Sequence, residues 1–289
     1  MIPFSRRGAV LLRPFFAQRR IPILTAEKSR RAGIGRSKTA PLRLLLLLAV
    51  AFPAFLRAET DLLLTAATDA ELQPLIRQLG AARSETRASW TFWLGTIGGK
   101  SVVLTRTEGD PLNAVAATTL ALRRYAPKLV VTYGSARAHD PALQPGDVVV
   151  SRAFVAFDGF ISDPLPLGAG SAPHTWQRLA HAPMTPGEKE KYQDDFPADA
   201  TALATAGKLR PARGRLVAGV LGSAHQVNRE ADRIAWIHRT WHTSTEDAES
   251  AHLAGCAYLL KTPVIGLRIV EGTPEESAAL AMQFLEGWK

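Results

Sequence analysis

Residues 129–151 read LVVTYGSARAHDPALQPGDVVVS and predict the fold class of the chain. The stretch opens with an apolar run at residues 129–131, which has the length and branching expected of a buried strand. The run is expected to stop at residues 134–136, Gly-Ser-Ala, where small side chains let the backbone turn and bring its N–H groups close to a ligand. After a Gln-Pro-Gly-Asp turn signal, residues 148–150 form a second buried-strand pattern.

The end of the first of these strands is a candidate ligand site. Ligands of α/β proteins commonly lie at the carboxyl ends of strands, and Gly134 and Ser135 fall at such an end. The residues also leave open an ordinary strand–loop–strand connection that binds nothing.

Outside this stretch, strand and helix patterns alternate along the chain. The other predicted strands are residues 61–65, 90–94, 100–105, 153–161, 215–221 and 264–270. The predicted helices are residues 68–79, 113–125, 199–209, 229–241, 246–260 and 274–288. This alternation predicts a single α/β domain, a three-layer sandwich in which helices cover both faces of the sheet.

The basic character of the chain is confined to its N-terminal segment. The formal net charge of +9, taken alone, favours nucleic-acid binding. Residues 1–58 contain 12 Lys and Arg residues and one acid, Glu27, so the remainder has 23 basic and 25 acidic residues. The net charge of the remainder is therefore −2, which argues against a nucleic-acid partner for the folded part.

Residues 1–58 are interpreted as a leader with an export signal, and residues 59–289 as the folded domain. Arg43 precedes an uncharged run at residues 44–56, and Ala58 offers a small residue for cleavage. A helix of that length rises about 20 Å, less than the roughly 30 Å of a bilayer core. The pattern favours a cleaved signal over a stable membrane span and predicts a periplasmic or secreted protein.

The sequence predicts neither a metal nor an organic cofactor. Cys256 is the only cysteine, which leaves no Cys-based metal site. His238 and His242 are four residues apart on a predicted helix without an acidic partner at helical spacing, so solvated or packed side chains are favoured over a metal pair. Glycine-rich nucleotide-binding fingerprints are absent as well.

The 129–151 stretch resembles the strand–TGSAG–loop–GDxVVS signature of the purine nucleoside phosphorylase and nucleosidase superfamily. The branch that it is most similar to is the methylthioadenosine/S-adenosylhomocysteine nucleosidases, over about residues 61–288 with gaps. The resemblance implies one domain with a mixed central β-sheet flanked by helices. It also implies a homodimer, because family members are usually dimers whose partner subunit closes the pocket.

Glu71 is the candidate for activating water. Residues 67–71, Ala-Thr-Asp-Ala-Glu, resemble the family's AMxxE stretch, whose glutamate activates the attacking water. Apart from the resemblance, Thr68 and Glu71 predict a capping box at the start of a helix, and that structural role is the alternative.

Glu249 is the candidate for holding the ribose. Residues 247–251, Asp-Ala-Glu-Ser-Ala, resemble the family's EMEA(T/S)A helix start, in which the second glutamate binds the sugar hydroxyls. Two vicinal hydroxyls can donate to the two oxygens of one carboxylate. Ala248 replaces the family's methionine, so the sugar is expected to be less tightly packed. The alternative is an acid-rich helix start at Glu246, stabilised by the helix dipole.

Arg268 is expected near the water and the sugar. Residues 266–272 resemble the family's VVRxISD strand end, with Arg268 at the arginine position and Glu71 as its expected anionic partner. The family's aspartate, which protonates purine N7, aligns with Gly272. That role is vacant unless Glu271 takes it. Restoring the acid with Gly272→Asp is expected to raise the rate, unless Gly272 has a positive φ.

Residues 222–227 resemble the family's base-binding loop, SGDxFI. The aromatic stacking residue aligns with Gln226, whereas Val227 keeps the main-chain contacts to the base, which need only an N–H and a C=O. His225 is a substitute donor or a solvated loop residue. Arg137 replaces a glycine of the family's turn, and it either binds an anionic group of the ligand or points to solvent.

Water is the expected nucleophile. Phosphorylases of the superfamily carry an arginine ahead of the Gly-Ser of the turn, and that position is Thr132. With Arg268 and Ser135 positioning the water, the expected reaction is hydrolysis of the N-glycosidic bond of a purine nucleoside such as methylthioadenosine. The alternatives are a nucleoside-binding protein that has lost its acid, and a nucleoside phosphorylase.

Overall fold

Strands and helices alternate along the chain as the sequence predicts. The computed structural model describes residues 60–183 and 192–289, all within one compact unit. The predicted leader and export signal, residues 1–58, lie outside the described residues. Within the described ranges, no helix has the length and apolarity to cross a membrane.

The described residues form twelve strands and six α-helices. The strands are β1 Leu62–Ala66, β2 Gly80–Arg87, β3 Trp90–Ile97, β4 Lys100–Arg106, β5 Leu129–Ala138, β6 Val148–Ala156, β7 Phe160–Ile161, β8 Gln177–Arg178, β9 Phe196–Pro197, β10 Leu216–Ser223, β11 Thr245–Asp247 and β12 Val264–Val270. The helices are α1 Asp69–Ile76, α2 Pro111–Tyr125, α3 Ala200–Ala206, α4 Ala231–Trp241, α5 Ser250–Leu259 and α6 Pro274–Gly287.

The central sheet is mixed, as the family resemblance implies. Its strand order is β11-β10-β6-β12-β5-β1-β4-β3-β2, with β9 beside β6. Strand β1 runs parallel to β4 and β5, whereas β12 runs parallel to β5 and antiparallel to β6. Because β11 pairs with both β10 and β5, the five strands β5, β12, β6, β10 and β11 form a closed ring.

Both faces of the sheet are buried under helices. In β1, Leu62 and Leu64 pack in a cluster with apolar side chains of α1, α3 and α6. The intervening Leu63 packs in a second cluster with side chains of α2 and α5. Since successive side chains of a strand point to opposite faces, the arrangement is helix, sheet, helix. The prediction of a three-layer α/β sandwich is confirmed.

Side-chain caps set where the first two helices begin. The hydroxyl of Thr68 accepts from the backbone N–H of Glu71 at 3.3 Å, and Glu71 Oε2 accepts from the backbone N–H of Thr68 at 3.0 Å. This is the predicted capping box. The carboxylate of Asp110 accepts from two first-turn N–H groups of α2. Both caps lie just beyond the carboxyl ends of β1 and β4, next to the site described below.

Two sequence-based boundaries are wrong around the quoted stretch. Strand β5 does not stop at residues 134–136 but continues to Ala138, because β12 pairs with it residue by residue up to Ala136 and β11 pairs beyond that point. Strand β6 is continuous from Val148 to Ala156, where the sequence indicated two separate strands. The extension of β5 places residues 133–137 along the wall of the site described below.

Two further elements differ from the prediction. Residues 246 and 247 belong to strand β11 rather than to a helix, and α5 begins only at Ser250. Strand β2 was not predicted, because its side chains are almost all exposed and give no apolar alternation. It forms the sheet edge by pairing with β3.

Candidate active site

A cavity of about 380 Å³ opens at the carboxyl ends of β1, β5, β10, β11 and β12. Its volume lies within the range of small-molecule sites. The eight site residues predicted from the sequence all line this cavity: Glu71, Gly134, Ser135, Val227, Ala248, Glu249, Arg268 and Glu271. The other lining residues are Ala67, Gly109, Tyr133, Ala136, Arg137, Gln226, Glu246 and Asp247.

Glu71 reaches the cavity from the first turn of α1 while also closing the capping box. Its Oε2 accepts from the backbone N–H and the hydroxyl of Thr68, at 3.0 and 2.9 Å. Its Oε1 accepts from the backbone N–H of Ser135 at 3.4 Å. The carboxylate that closes the capping box is therefore the same one that lines the cavity, with Oε2 bonded to Thr68 and Oε1 bonded to Ser135.

Gly134 leaves space for the Glu71 carboxylate because it has no side chain. A Cβ at position 134 would lie 2.8 Å from Glu71 Oε1, and the glycine has φ +154. Any side chain there would displace the carboxylate or strain the strand. The glycine that the sequence placed in a ligand-binding turn thus serves a close approach within a continuous strand.

Glu249 is a buried carboxylate with an unmet hydrogen-bonding capacity. Its Oε1 accepts from the hydroxyl of Thr107 at 2.8 Å, whereas its Oε2 is buried and has no partner. The pKa of Glu249 is raised to about 7: burial is the largest cause, Arg268 and the Thr107 hydrogen bond oppose it, and the neighbouring Asp247 and Glu71 carboxylates add to it. This oxygen lacks a hydrogen-bond donor, which a ligand bound in the cavity can supply.

Arg268 pairs with Asp247, and the expectation that Glu71 is its partner is wrong. Its Nε donates to Asp247 Oδ2 at 2.8 Å, with both side chains almost fully buried. Its Nη2 donates to the Thr132 hydroxyl at 3.0 Å. The physical reason is that Asp247, on β11, lies across the ring from β12. Glu71 is occupied by Thr68 and Ser135.

Asp247 holds the N-terminus of α5. Its Oδ1 accepts from the backbone N–H groups of Glu249 and Ser250, both at 2.8 Å, and from the Ser223 hydroxyl at 2.7 Å. Burial acts to raise the pKa of Asp247, but Arg268 and the hydrogen bonds from Ser250 and Ser223 hold it below its usual value. Asp247 therefore stays ionised and places both Arg268 and Glu249.

Another buried carboxylate, that of Glu246, anchors the loop that follows β10. It accepts from His139 Nε2 at 2.9 Å and from the backbone N–H of Asn228 at 3.1 Å, and the side-chain amide of Asn228 also donates to it. Burial acts to raise its pKa, yet the bonds from His139 and Asn228 hold the pKa below its usual value. This anchor fixes Gln226 and Val227 against the cavity.

Sequence reasoning missed Asp247, Glu246 and Thr107 as contributors. The two acids lie next to Ala248 and Glu249 in the motif and were assigned to a helix start, so their strand positions were not visible. Thr107 carries no signal, since a threonine after an apolar strand is common. Only the tertiary contact of its hydroxyl with Glu249 identifies it.

Gly272 and Glu271 are placed differently with respect to the cavity. A Cβ at position 272 would lie 2.6 Å from the Cβ of Ile269, and Gly272 does not line the cavity. Glu271 is exposed, has φ 47 and does line it. The obstacle to an acid at position 272 is the Ile269 side chain rather than a positive φ.

The remaining polar candidates divide between the cavity and the surface. Arg137 is exposed and lines the cavity, whereas His225 is exposed, lies 3.8 Å from Asp110 and does not line it. His242 caps the end of α4, and His238 bonds the Thr243 carbonyl. Among the described residues, no group of three or more His, Cys, Asp or Glu side chains is arranged to hold a metal ion.

Known proteins resemble this chain in both sequence and fold. The 5'-methylthioadenosine/S-adenosylhomocysteine nucleosidase of Marinomonas sp. (strain MWYL1) is 38% identical over 95 residues, which are 33% of this chain and 41% of that protein. The matched segment thus spans about two fifths of the curated relative.

Two solved nucleosidase structures share the fold. The Colwellia psychrerythraea enzyme in complex with adenine superposes with a TM-score of 0.64 at 22% identity, covering 80% of this chain and 96% of that one. The Streptococcus pneumoniae enzyme with a transition-state inhibitor gives 0.65 at 18% identity, covering 80% and 100%. The model of the Phosphorylase superfamily matches residues 61–286, and the chain belongs to that superfamily.

Proposed function

We propose that this protein hydrolyses the N-glycosidic bond of a purine nucleoside, with water as the nucleophile. Three groups support the proposal: a carboxylate bonded to the backbone N–H of Ser135, a buried arginine, and a buried carboxylate without a partner on one oxygen. All three face one cavity of nucleoside size. The similarity to methylthioadenosine/S-adenosylhomocysteine nucleosidases points to the same reaction class.

The observation that carries the proposal is the Oε2 atom of Glu249. It is buried and unpartnered, although an unpaired buried polar atom is unfavourable by about 1–3 kcal/mol. A ribose hydroxyl donating to this oxygen removes the penalty, and the Thr107 bond keeps Oε1 in place. The carboxylate then also stabilises the positive charge that develops on the sugar as the base departs.

The reaction follows from the positions of the other two groups. Glu71 takes a proton from water while the water oxygen bonds to the anomeric carbon, and the electron pair of the C–N bond leaves with the base. Arg268, fixed by Asp247 at 2.8 Å, and Ser135 orient the water. The base takes up one proton, so the products are the free sugar and the neutral purine.

Glu271 is the side chain that supplies or relays this proton in the proposal. Among the carboxylates that line the cavity, it is the one whose oxygens are not held by a described group, and its exposure lets it exchange protons with solvent. Val227 contributes its backbone N–H and C=O to the base, and Ala248 lies beside the sugar.

A nucleoside-binding protein without turnover is the second candidate function. Gly272 favours it, because the family's acid position has no side chain and its Cβ direction leads into Ile269. A phosphorylase is third. The Thr132 hydroxyl is already bonded to Arg268 and offers no cation for phosphate.

Base release from methylthioadenosine, adenosine and inosine, with and without phosphate, tests the proposal. Phosphate-independent release of the purine is the expected result. Release only with phosphate would establish the phosphorylase instead, and binding by calorimetry without release would establish the binder. Glu249→Gln should abolish either activity or binding, whichever is found.

We also propose export and a homodimer. The basic segment, the uncharged run at residues 44–56 and Ala58 support a cleaved signal, and the family resemblance supports the dimer. N-terminal sequencing of the exported protein should give a start near Glu59, and light scattering should give twice the mass of the mature chain. An exported form that still contains residues 1–40 would contradict the cleaved signal. A monomer at micromolar concentration would contradict the homodimer.

A further inference from the structure

The hydroxyl of Thr107 lies within hydrogen-bond distance of two acceptors but has only one proton to donate. Its oxygen is 3.0 Å from the backbone carbonyl oxygen of Ala66 and 2.8 Å from Glu249 Oε1. Thr107 is fully buried, which keeps both contacts away from bulk solvent. Because a hydroxyl has one donor and two acceptor lone pairs, it cannot donate a full hydrogen bond to both neighbours.

The carbonyl group of Ala66 does not depend on this hydroxyl. It also accepts from the backbone N–H of Thr107 at 3.0 Å, so it keeps a partner whichever way the hydroxyl points. The hydroxyl can therefore donate to Glu249, or it can donate to Ala66 and accept from Glu249. The second arrangement requires a proton on Glu249 Oε1, because a protonated carboxyl donates through its O–H. The contacts accordingly suit both the ionised and the neutral form of Glu249.

The surroundings of Glu249 favour its neutral form in the free protein. Its Oε2 is buried without a partner, and a buried oxygen without a donor is more unfavourable when it is charged. The charged groups that act on this carboxyl are Arg268, Asp247 and Glu71. Since the arginine and the aspartate already form an ion pair, an ionised Glu249 would add a second negative charge beside Glu71. Burial raises the pKa of Glu249 to about 7, in agreement with this arrangement.

A bound ribose reverses this preference. Its hydroxyls donate to the carboxyl, and hydrogen bonds to an ionised acceptor are about twice as strong as those to a neutral one. The positive charge that develops on the sugar during glycosidic cleavage is also stabilised by an ionised carboxylate. When Glu249 loses its proton, the Thr107 hydroxyl turns from Ala66 to Oε1 and keeps the carboxylate in the same position.

We propose that Thr107 is a positioning residue that holds Glu249 in place as a neutral acid in the free protein and as a carboxylate around a bound ribose. This inference rests on the proposed function. Binding of a neutral nucleoside then breaks the O–H bond of the Glu249 carboxyl and releases its proton to solvent, while the ribose hydroxyls donate to the resulting carboxylate. Hydrolysis itself does not use this proton.

Titration of the Glu249 carboxyl by ¹³C NMR, with glutamate labelled at Cδ, tests the role of Thr107 in the free protein. Glu249→Gln identifies the signal by its disappearance. The parent midpoint should lie near pH 7, and Thr107→Val should raise it because the ionised form loses a donor. Thr107→Ser keeps the hydroxyl and should restore the parental midpoint.

Thr105→Val is the matched control for this titration. Thr105 is equally buried, and its hydroxyl donates to the Thr91 carbonyl at 3.0 Å, so the same kind of bond is lost away from Glu249. The midpoint of Glu249 should be parental in this variant. A parental midpoint in Thr107→Val, or a parent that titrates like an exposed glutamate, overturns the proposal; the second result needs no variant to fold.

Calorimetric binding of formycin A to the parent protein tests the coupling to ribose. Formycin A joins its base to ribose by a C–C bond, which water does not cleave. Titrations in buffers of different ionisation enthalpy should show release of close to one proton per site at pH 6 and of little at pH 8. Below the midpoint, the affinity should increase by up to about tenfold per pH unit.

The outcomes distinguish this inference from the proposed function. Binding of formycin A at pH 6 without proton release overturns the coupling and leaves the hydrolase. Proton release on binding, without base release from any nucleoside, overturns the hydrolase and leaves the inference. If formycin A does not bind and no nucleoside is cleaved, both the ribose assignment and the proposed function are overturned.

Discussion

Arg268 Nε lies 2.8 Å from Asp247 Oδ2, and this buried ion pair joins the ends of β12 and β11 at the floor of the cavity. The same aspartate holds the backbone N–H of Glu249. One side chain therefore sets the position of the arginine that we propose orients water and of the carboxylate that we propose receives the ribose.

Asp247→Asn should destabilise the fold by about 3–5 kcal/mol, because it leaves the Arg268 charge buried and turns an amide donor toward it. Urea unfolding monitored by fluorescence measures the loss. Lys128→Met, which removes an exposed ion pair with Asp61, is the control and should change the free energy of unfolding by at most about 1 kcal/mol. Similar values for the two variants would contradict the role given to Asp247.

Glu71→Gln should separate the structural from the catalytic role of this residue. Glutamine also closes a capping box, so the melting temperature should change little, while loss of the base should lower kcat by about 10²–10⁴-fold. Thr68→Ala is the converse variant: it removes the cap, at about 1 kcal/mol, but keeps the carboxylate. A Glu71→Gln enzyme with parental kcat would leave only the capping role.

Glu249→Gln should abolish function and stabilise the protein at alkaline pH. The pKa of Glu249 is raised to about 7 by burial, so its contribution to stability is complete below about pH 4.5 and is lost as the pH rises through 7. At pH 8 the amide should be more stable by an amount on the order of 1–3 kcal/mol, and at pH 5 the difference should vanish.

Thermal unfolding at the two pH values checks the Glu249 prediction. Glu286→Gln, at an exposed position of α6, is the matched control and should give the same small difference at both. If the Glu249→Gln difference were likewise independent of pH, the carboxylate would not be the buried, uncompensated group described above.

Gly272→Asp should not create a faster enzyme, contrary to what the family resemblance alone predicts. The new Cβ would lie 2.6 Å from Ile269 Cβ, and overpacking of this kind destabilises by about 1–3 kcal/mol. Gly272→Ala should show the same loss of stability in urea unfolding. An increase in kcat for Gly272→Asp without destabilisation would show that the side chain finds a route to the cavity.

Glu271→Gln should lower kcat on purine nucleosides while leaving stability unchanged, because the side chain is exposed and its backbone bond to Ala136 remains. Thermal unfolding of the variant, measured beside kcat, distinguishes a lost proton donor from a structural defect. Parental kcat in Glu271→Gln would assign proton delivery to solvent.

The sequence predicted the structure correctly where the residues that determine it are close together in the chain. Strand β12 has the predicted bounds, residues 264–270, because an uninterrupted apolar run identifies a strand buried on both faces. The capping box of Thr68 and Glu71 was likewise predicted, since both partners lie within four residues. The eight proposed site residues meet at one cavity because their motifs end adjacent strands.

Non-local pairing accounts for what the sequence did not reveal. Residues 245–247 form a strand only because β10 and β5 flank them. The partner of Arg268 depends on which carboxylate the closed ring brings across from β12, and the sequence alone indicated Glu71. Strand β2, with exposed side chains, is defined by β3 alone.

Because the short strand β11 is paired on both edges, the number of residues that precede it is constrained. All three residues of Thr245–Asp247 pair with β10 and the first two also pair with β5, so a one-residue slip of this strand would reverse which way Glu246 and Asp247 face. Both the loop anchor and the Arg268 pair would then be lost together. Homologues that keep this pocket should keep a fixed number of residues ahead of β11.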